Sequence, residues 1–306
     1  AMQDIILHHF DASPFAEKIR LALGLKGLSW HSVEIPMVMP KPDLTALTGG
    51  YRKTPVLQIG ADIYCDTQRI AAELECRFPE PTLFPGNSAA LSTALSHWSD
   101  AAFFQPGAGL SMGTNTGLPE DVLADRRAFF NFLDFSTLDQ QLPHLFSQFR
   151  GHLQLVEGML ADGRRFILGD RCGWADILAY FPLWMGRGNI ARTGELVQRL
   201  PALRAWESRM QAVGHGSPAP MDPATALAIA RDTPSVALEE LAADAWPAIP
   251  PGSAVTVKPQ DYGAVPVAGT LLRLTHADIA IRREDPQAGE VVVHFPRLGY
   301  ELEVSQ

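Results

Sequence analysis

The sequence predicts an α/β domain, then an all-α helical bundle domain, and then a small, mostly β appended C-terminal domain. Three observations support this order. Strand and helix patterns alternate over residues 2–85, helical periodicity dominates residues 87–215, and short β-rich runs separated by turn residues occupy 224–306. A chain of 306 residues, of which 46% are apolar, is long enough for more than one domain. We therefore predict three domains with these bounds.

The first domain is predicted from short patterns with clear ends. Its elements are a strand in 4–10, a helix over 14–25, a strand in 28–35, a short helical piece ending at Gly49, a strand pair within 54–66 and a helix over 67–78. Alternation of apolar and polar residues marks the strands, and the 3.6-residue period marks the helices. The Pro85-Gly86 pair ends the domain.

The second domain is predicted to be almost entirely helical. Its candidate helices are 88–104, 119–135, 140–162, 173–186 and 195–213. The glycine-rich segment 107–117 is predicted to be a long loop, and 214–223 a linker, because their compositions are typical of such connections.

Charge and cysteine content exclude several functions. The formal net charge is −9, no long block of Lys and Arg occurs, and nucleic acid is therefore not an expected partner. No apolar run approaches the length of a membrane span, so no membrane association is expected. The three cysteines have neither a disulfide pattern nor a zinc-ligand spacing. We expect no metal site, and a location in the reducing cytoplasm.

Ser13 lies where the first strand gives way to a helix, in "HHFDASPFAEKIRLAL". Serine followed by proline is a typical helix start, so one interpretation makes Ser13 only an N-cap. The other interpretation uses the same position, because a helix N-terminus favours an anion. A hydroxyl donor there would stabilise the thiolate of a bound ligand. Both interpretations are open at this point.

Two further segments have the same ambiguity. In "YRKTPVL", a cis Thr54–Pro55 bond would turn the Thr54 backbone outward for an added strand, whereas a trans proline would only mark a sheet edge. In "YCDTQRI", Asp66 and Thr67 either cap a helix or bind the head group of an amino acid. Arg52 and Lys53 either are solvated or receive a carboxylate.

Together and in this order, these segments resemble the glutathione S-transferase superfamily. The resemblance spans about residues 4–215 and rests on four segments, "SPFAEKIRLAL", "KTPVL", "CDTQRIAAEL" and "FILGDRCGWADILAY". It implies that the first domain is thioredoxin-like and that the second domain is the helical one of that family. It also implies glutathione as a co-substrate.

The resemblance assigns roles to individual residues. Ser13 would be the catalytic hydroxyl that assists the glutathione thiolate, and Thr54 would pair with the cysteinyl backbone beside a cis Pro55. Asp66 and Thr67 would hold the γ-glutamyl end, and Lys53 would meet the glycyl carboxylate. For the apolar wall of the electrophile pocket we predict Phe15, Trp98, Phe103 and Phe104. The family also implies a homodimer.

Three features depart from the family pattern. Asp66-Thr67 stands where the family usually has Glu-Ser, which makes the acid shorter and the hydroxyl bulkier. Gly173 stands where a capping Ser or Thr is expected before Asp176. The C-terminal tail, which we define as residues 224–306, has no counterpart in ordinary two-domain members. We predict a docking or stabilising role for this tail and place no site residue in it.

The predicted function is attack of a glutathione thiolate on a small electrophile. A glutathione-dependent lyase, isomerase or peroxidase is the alternative within enzymes. A non-catalytic binding or assembly protein that retains the fold is the alternative from another class. Retention on immobilised glutathione would distinguish the two classes, because a catalytic member should bind the tripeptide and an assembly protein need not.

Overall fold

The computed structural model describes residues 4–234 and 246–305. Its first part is a four-stranded sheet with helices on both faces, as the element order predicts. The elements are β1 (Ile6–His9), α1 (Pro14–Leu25), β2 (Ser29–Glu34), α2 (Pro42–Thr48), β3 (Val56–Ile59), β4 (Asp62–Cys65) and α3 (Thr67–Arg77). β1 pairs with β2 in parallel and with β3 antiparallel, and β3 pairs with β4 antiparallel.

Every residue of β1, β3 and β4 is buried, because both faces of the sheet are covered. Leu7 and Leu57 face the core that α1 and α3 complete. Val56 and Ile63 face a second core that includes α2 and the C-terminal tail. The alternation of side chains along each strand thus separates two cores that share one sheet.

The second part is helical. Its elements are α4 (Ala89–His97), a π-helical segment (Trp98–Phe103), α5 (Phe104–Thr114), α6 (Glu120–Phe129), α7 (Leu138–Met159), α8 (Trp174–Asn189), α9 (Thr193–Leu196) and α10 (Pro201–Gln211). The start of α8 is fixed by Asp176, whose carboxylate accepts hydrogen bonds from the Ile167 and Gly173 amides and from Trp206 Nε1 at 2.8–2.9 Å. Gly173 has no hydroxyl, so Asp176 supplies the side-chain cap alone.

The loop predicted over 107–117 is wrong, because α5 continues to Thr114. Its glycines allow neighbouring helices to approach closely. A Cβ at Gly107 would lie 2.6 Å from Met185 Cε, and one at Gly109 would lie 2.8 Å from Leu145 Cδ1. Glycine composition here reflects tight packing between helices and not a flexible connection.

The linker predicted over 214–223 contains a strand, β5 (Ser217–Pro220), which pairs in parallel with β2. Pro218 and Pro220 lack an N–H, yet they fit because β5 is the edge strand of the sheet. Main-chain bonds from Ser217 N to Leu28 O and from Met221 N to Ser32 O, both 2.9 Å, fasten its ends. The prediction of an unstructured linker is therefore wrong for these residues.

The C-terminal tail is mostly β, as predicted, and its strands extend the first sheet. It contains α11 (Pro223–Asp232), β6 (Ala254–Pro259), β7 (Val267–Leu274), β8 (Asp278–Asp285), β9 (Gly289–Pro296) and β10 (Tyr300–Val304). β9 pairs in parallel with β4, which gives one ten-stranded sheet in the order β10-β6-β7-β8-β9-β4-β3-β1-β2-β5. The division into domains at 2–85, 87–215 and 224–306 stays a prediction.

At the β4–β9 junction a buried histidine–aspartate hydrogen bond links the tail to the first sheet. His294 Nε2 lies 2.8 Å from Asp62 Oδ1, and the His294 ring stacks on Tyr64 with centroids 4.3 Å apart. Burial lowers the pKa of His294. The tail thus contacts the first sheet through the pairing of β9 with β4. None of the helices within residues 4–234 and 246–305 has the length and apolarity needed to span a bilayer.

Candidate functional site

A cavity of about 290 Å³ lies between the first sheet, the helical part and the tail. Eight of the ten side chains predicted for the site line it, namely Ser13, Phe15, Lys53, Thr54, Pro55, Asp66, Thr67 and Phe104. Residues far apart in the sequence therefore meet around one concave space, the usual geometry of a small-molecule site.

Ser13 is the N-cap of α1 and also faces this cavity. Its Oγ accepts a hydrogen bond from the Ala16 amide at 3.1 Å, and the residue is only 4% exposed. Among the described residues, no acceptor is within hydrogen-bond distance of the Ser13 O–H. The two interpretations of Ser13 are therefore compatible, since the oxygen caps the helix while its proton is free to bond a ligand.

The Thr54–Pro55 peptide bond is cis, as predicted. β3 begins only at Val56, so the Thr54 amide and carbonyl lie just outside its ladder. Within residues 4–234 and 246–305 neither group has a backbone hydrogen-bond partner. Both groups can therefore pair with an extended ligand lying in the cavity.

Asp66 lies at a second strand-to-helix junction, between the end of β4 and the start of α3. Its φ of 77° lies in the left-handed region that non-glycine residues rarely adopt. One carboxylate oxygen, Oδ1, accepts from the Gln68 amide at 2.9 Å, and the other, Oδ2, accepts from the Tyr300 hydroxyl at 2.8 Å. The next residue, Thr67, is buried at the cavity wall.

Lys53 reaches the cavity but is paired with the tail. Its Nζ lies 2.6 Å from Asp261 Oδ1 and 4.1 Å from the centroid of the Tyr262 ring. Arg52 is also paired, with its Nη2 2.8 Å from Asp125 Oδ1. A ligand carboxylate bound at Lys53 has to share this ammonium with Asp261 or displace it.

Sequence reasoning missed Lys41, which lines the cavity and is only 6% exposed. Its Nζ lies 3.4 Å from Thr54 Oγ1. Burial, followed by the nearby Arg126 guanidinium, lowers the pKa of Lys41 to about 8, although Asp125 opposes the shift. In the sequence, a single lysine in a proline-rich connection is indistinguishable from a solvated one.

Phe15 and Phe104 form the predicted apolar wall, with ring centroids 4.8 Å apart. Trp98 and Phe103 are absent from the cavity lining, which corrects the prediction for both. Phe103 is fully buried, Trp98 stacks on it at 5.4 Å, and Trp98 Nε1 donates to His152 at 3.1 Å. Adjacent residues in a helix point about 100° apart, so Phe104 faces the cavity while Phe103 faces the helical core.

The tail completes the aromatic wall. Tyr262, in the connection between β6 and β7, stacks on Phe104 with centroids 6.4 Å apart and packs edge-on against Phe129 and Phe130. Asp261 and Tyr262 are therefore cavity residues, although we placed none in the tail from sequence. No local motif marks them, because their position depends on the pairing of β9 with β4.

A buried ion pair lies at the floor of the cavity. Lys18 Nζ is 2.8 Å from Asp100 Oδ1, and Lys18 is fully buried beside the rings of Phe15 and Phe181. Burial raises the pKa of Asp100, and the Lys18 ammonium opposes that shift. Neither residue was predicted. In the part of the chain that the structure describes, no group of three His, Cys, Asp or Glu side chains is arranged to hold a metal ion.

Comparison with known proteins gives matches over the whole chain. Residues 7–82 match the family model "Glutathione S-transferase, N-terminal domain", and residues 130–212 match "Glutathione S-transferase, C-terminal domain". A search of curated protein sequences gave no significant match.

The solved structures include a GST-like protein from Pseudomonas syringae with 36% sequence identity and a TM-score of 0.81. That match covers 99% of this chain and 100% of that one, so it includes the C-terminal strands. A glutathione S-transferase from Rhodospirillum rubrum is 23% identical, with a TM-score of 0.54 over 68% of this chain and 88% of that one. A glutathione transferase family member from Pseudomonas fluorescens, with two glutathione bound, is 14% identical, with a TM-score of 0.53 over 69% and 89%. The last two matches show the fold alone.

Proposed function

The chain belongs to the glutathione S-transferase family, and we propose that it binds glutathione and uses the thiolate to attack a small electrophile. The observation that carries this proposal is the Ser13 hydroxyl, which caps α1 yet keeps a free proton facing the cavity. A ligand sulfur is the acceptor that the family would supply there.

Charges along the cavity are complementary to a tripeptide with one ammonium and two carboxylates. In the part of the chain that the structure describes, the donors to the Asp66 carboxylate are a backbone amide and a phenol, neither of which is a cation. Lys41 is a buried cation whose one hydrogen bond in the described residues goes to a neutral hydroxyl, that of Thr54. In our proposal, Asp66 and Thr67 hold the γ-glutamyl end, Thr54 pairs with the cysteinyl backbone, and Lys41 together with Lys53 receives the glycyl carboxylate.

The proposed chemistry requires little more than a stabilised thiolate. A free thiol has a pKa of roughly 8.5, and a hydroxyl donor at a helix N-terminus lowers it because both favour the anion. The thiol proton leaves to solvent, a sulfur–carbon bond forms, and the leaving group departs with its electron pair. Ser13 donates a hydrogen bond throughout and forms no covalent bond to the substrate.

The electrophile would occupy the aromatic side of the cavity. Phe15, Phe104, Phe130 and Tyr262 line that side, which favours a flat apolar molecule. A concave cavity lined by both apolar and charged side chains also supports a small-molecule enzyme over an assembly protein, whose partner surface would not need such a cavity. A glutathione-dependent lyase, isomerase or peroxidase reaction is the alternative within enzymes, and it would use the same thiolate.

We also propose that the protein is cytoplasmic and forms a homodimer. All three cysteines are free, which is consistent with a reducing compartment. The edge of β4 is covered by β9, so a dimer would have to use another surface. Sedimentation at micromolar concentration would test the pairing, and a monomer there would contradict it.

Calorimetric titration with glutathione tests the proposed function directly. We expect saturable binding to one site per chain, together with conjugation of chlorodinitrobenzene as a model electrophile. Retention on immobilised glutathione gives an independent check. Absence of both binding heat and retention would overturn the proposal, whereas binding without conjugation would favour a different glutathione-dependent reaction.

A further inference from the structure

The Asp66 carboxylate is oriented by a residue that lies 234 positions later in the sequence. The Tyr300 hydroxyl donates to Asp66 Oδ2 at 2.8 Å, while the Gln68 amide donates to Oδ1 at 2.9 Å. We propose that Tyr300 is a positioning residue, whose hydroxyl fixes the Asp66 carboxylate so that it accepts the ammonium of a γ-glutamyl thiol. This inference deepens the proposed function and rests on it.

The residues next to Asp66 in the sequence restrain its carboxylate through one hydrogen bond, from the Gln68 amide. The family usually has glutamate at this position, and aspartate is shorter by one methylene group. Its backbone φ of 77° is uncommon for a residue other than glycine. A helix cap fixes one oxygen only, and the carboxylate can still rotate about the Cβ–Cγ bond. A second bond, to the other oxygen, stops that rotation.

The Tyr300 side chain is fixed by burial and by packing against neighbouring aromatic rings. It is the first residue of β10, is 5% exposed, and packs against the Phe295 ring with centroids 5.6 Å apart. Its hydroxyl lies 3.3 Å from that of Tyr51. Since Tyr300 donates to Asp66, the consistent hydrogen-bond order has Tyr51 donating to Tyr300.

The two phenols remain donors over the working pH range. Burial raises the pKa of Tyr300 and of Tyr51 well above the usual value, and the nearby Asp66 carboxylate adds to both shifts. A neutral Tyr300 therefore always presents its proton to Asp66. Each carboxylate oxygen accepts one protein donor and retains a lone pair, which is what an incoming ammonium requires.

The test compares two thiols that differ only in the γ-glutamyl group. Calorimetry and steady-state kinetics are run with glutathione and with cysteinylglycine, on the full chain and on Tyr300→Phe, which keeps the ring and removes the hydroxyl. We expect the Kd and KM for glutathione to rise about tenfold with kcat unchanged, because a hydrogen bond to a charged group is lost. Cysteinylglycine should bind the variant and the parent equally.

Tyr64→Phe is the matched control. Tyr64 is a buried tyrosine of β4 whose hydroxyl bonds Arg77 at 3.4 Å, and it is absent from the cavity lining. It should leave glutathione binding unchanged. In an Asp66→Asn background, Tyr300→Phe should add much less than its single effect, because both changes act on the same contact.

The possible outcomes separate the two proposals. Equal glutathione binding by Tyr300→Phe and the parent chain would overturn the role of Tyr300 and leave the proposed function standing. Equal weakening for glutathione and cysteinylglycine would also overturn it, since that result indicates a general structural loss. If the parent chain binds no glutathione, the proposed function and this inference are both overturned.

Discussion

Two strand-to-helix junctions open onto the same cavity and are built differently. At the β1–α1 junction, Ser13 has an ordinary extended φ of −72° and caps its own helix. At the β4–α3 junction, Asp66 has a φ of 77° and depends on Tyr300 from the tail for one of its two hydrogen bonds. The hydrogen bond that fixes Ser13 comes from a residue three positions away, whereas one of the two that fix Asp66 comes from Tyr300 in the C-terminal tail.

This difference separates two parts of the proposed function. Activation of the thiol depends on a local motif that the N-terminal part provides by itself. Recognition of the two ends of the thiol ligand depends on contacts with the tail, at Asp66 through Tyr300 and at Lys53 through Asp261. Changes at Ser13 should therefore reduce the rate, and changes at the other positions should alter affinity.

The largest effect is expected for Ser13→Ala. Removing one oriented donor to a developing or stored anion typically lowers the rate by about 10² to 10³, so kcat for conjugation should fall by that factor. Affinity for S-methylglutathione, which has no thiol to ionise, should change little. Steady-state kinetics at saturating glutathione measure this directly.

The matched control for Ser13→Ala is Asp222→Ala. Asp222 caps α11 by accepting from the Thr225 amide at 2.8 Å, and it is absent from the cavity lining. Both variants should lose unfolding free energy from the lost cap, and for the buried Ser13 the loss should be about 0.5–2 kcal/mol. Unchanged kcat in Ser13→Ala would show that this serine is only a cap.

A smaller effect is expected from Lys41, whose ionisation should make the binding affinity depend on pH. Because the pKa of Lys41 is lowered to about 8, its ammonium is charged below that pH and neutral above it. Binding of S-methylglutathione, which has no thiol to titrate, should therefore weaken about tenfold as the pH rises through this value.

Lys41→Met should bind weakly at every pH and should lose the part of the pH dependence that Lys41 contributes, which leaves only the part due to the ligand's own ammonium. Lys258→Met, a change of the same kind at an exposed ion pair of the tail, should behave like the parent chain. If Lys41→Met shows the same fall in affinity near pH 8, the group that titrates is not Lys41.

The smallest effect is expected for Asp261→Asn, and it has the opposite sign. Asp261 is 55% exposed at its side chain and competes for Lys53 Nζ, so its removal should tighten glutathione binding. Exposed ion pairs are worth about 0.2–1 kcal/mol, which limits the gain to roughly fivefold. The gain should disappear at high salt, and Asp232→Asn should show none. Weaker binding would mean that Asp261 helps to hold the ligand.

The N-terminal part of the candidate site was predicted from short local segments together with their resemblance to the glutathione S-transferase superfamily. The serine-proline start of α1, the Thr54–Pro55 strand entry and the Asp66 cap each depend on a few neighbouring residues. The fold class was confirmed for the same reason, since the periodicity of each element is visible in its own sequence.

Long-range packing explains what the sequence did not predict. The contacts of Lys53 and Asp66 with the tail depend on the pairing of β9 with β4, whose register no local pattern specifies. Gly107 and Gly109 were misread as loop residues because the side chains that they accommodate lie on other helices. Trp98 and Phe103 were misassigned because the direction in which the helix faces the cavity was unknown.

The central claim is that Ser13 stabilises the thiolate of bound glutathione. Ultraviolet absorption of the thiolate, titrated against pH with glutathione bound to the parent chain and to Ser13→Ala, tests it most directly. We predict an apparent pKa for the bound thiol below the free value of about 8.5 in the parent chain, and a return toward that value in the variant. The same apparent pKa in both proteins would contradict the claim.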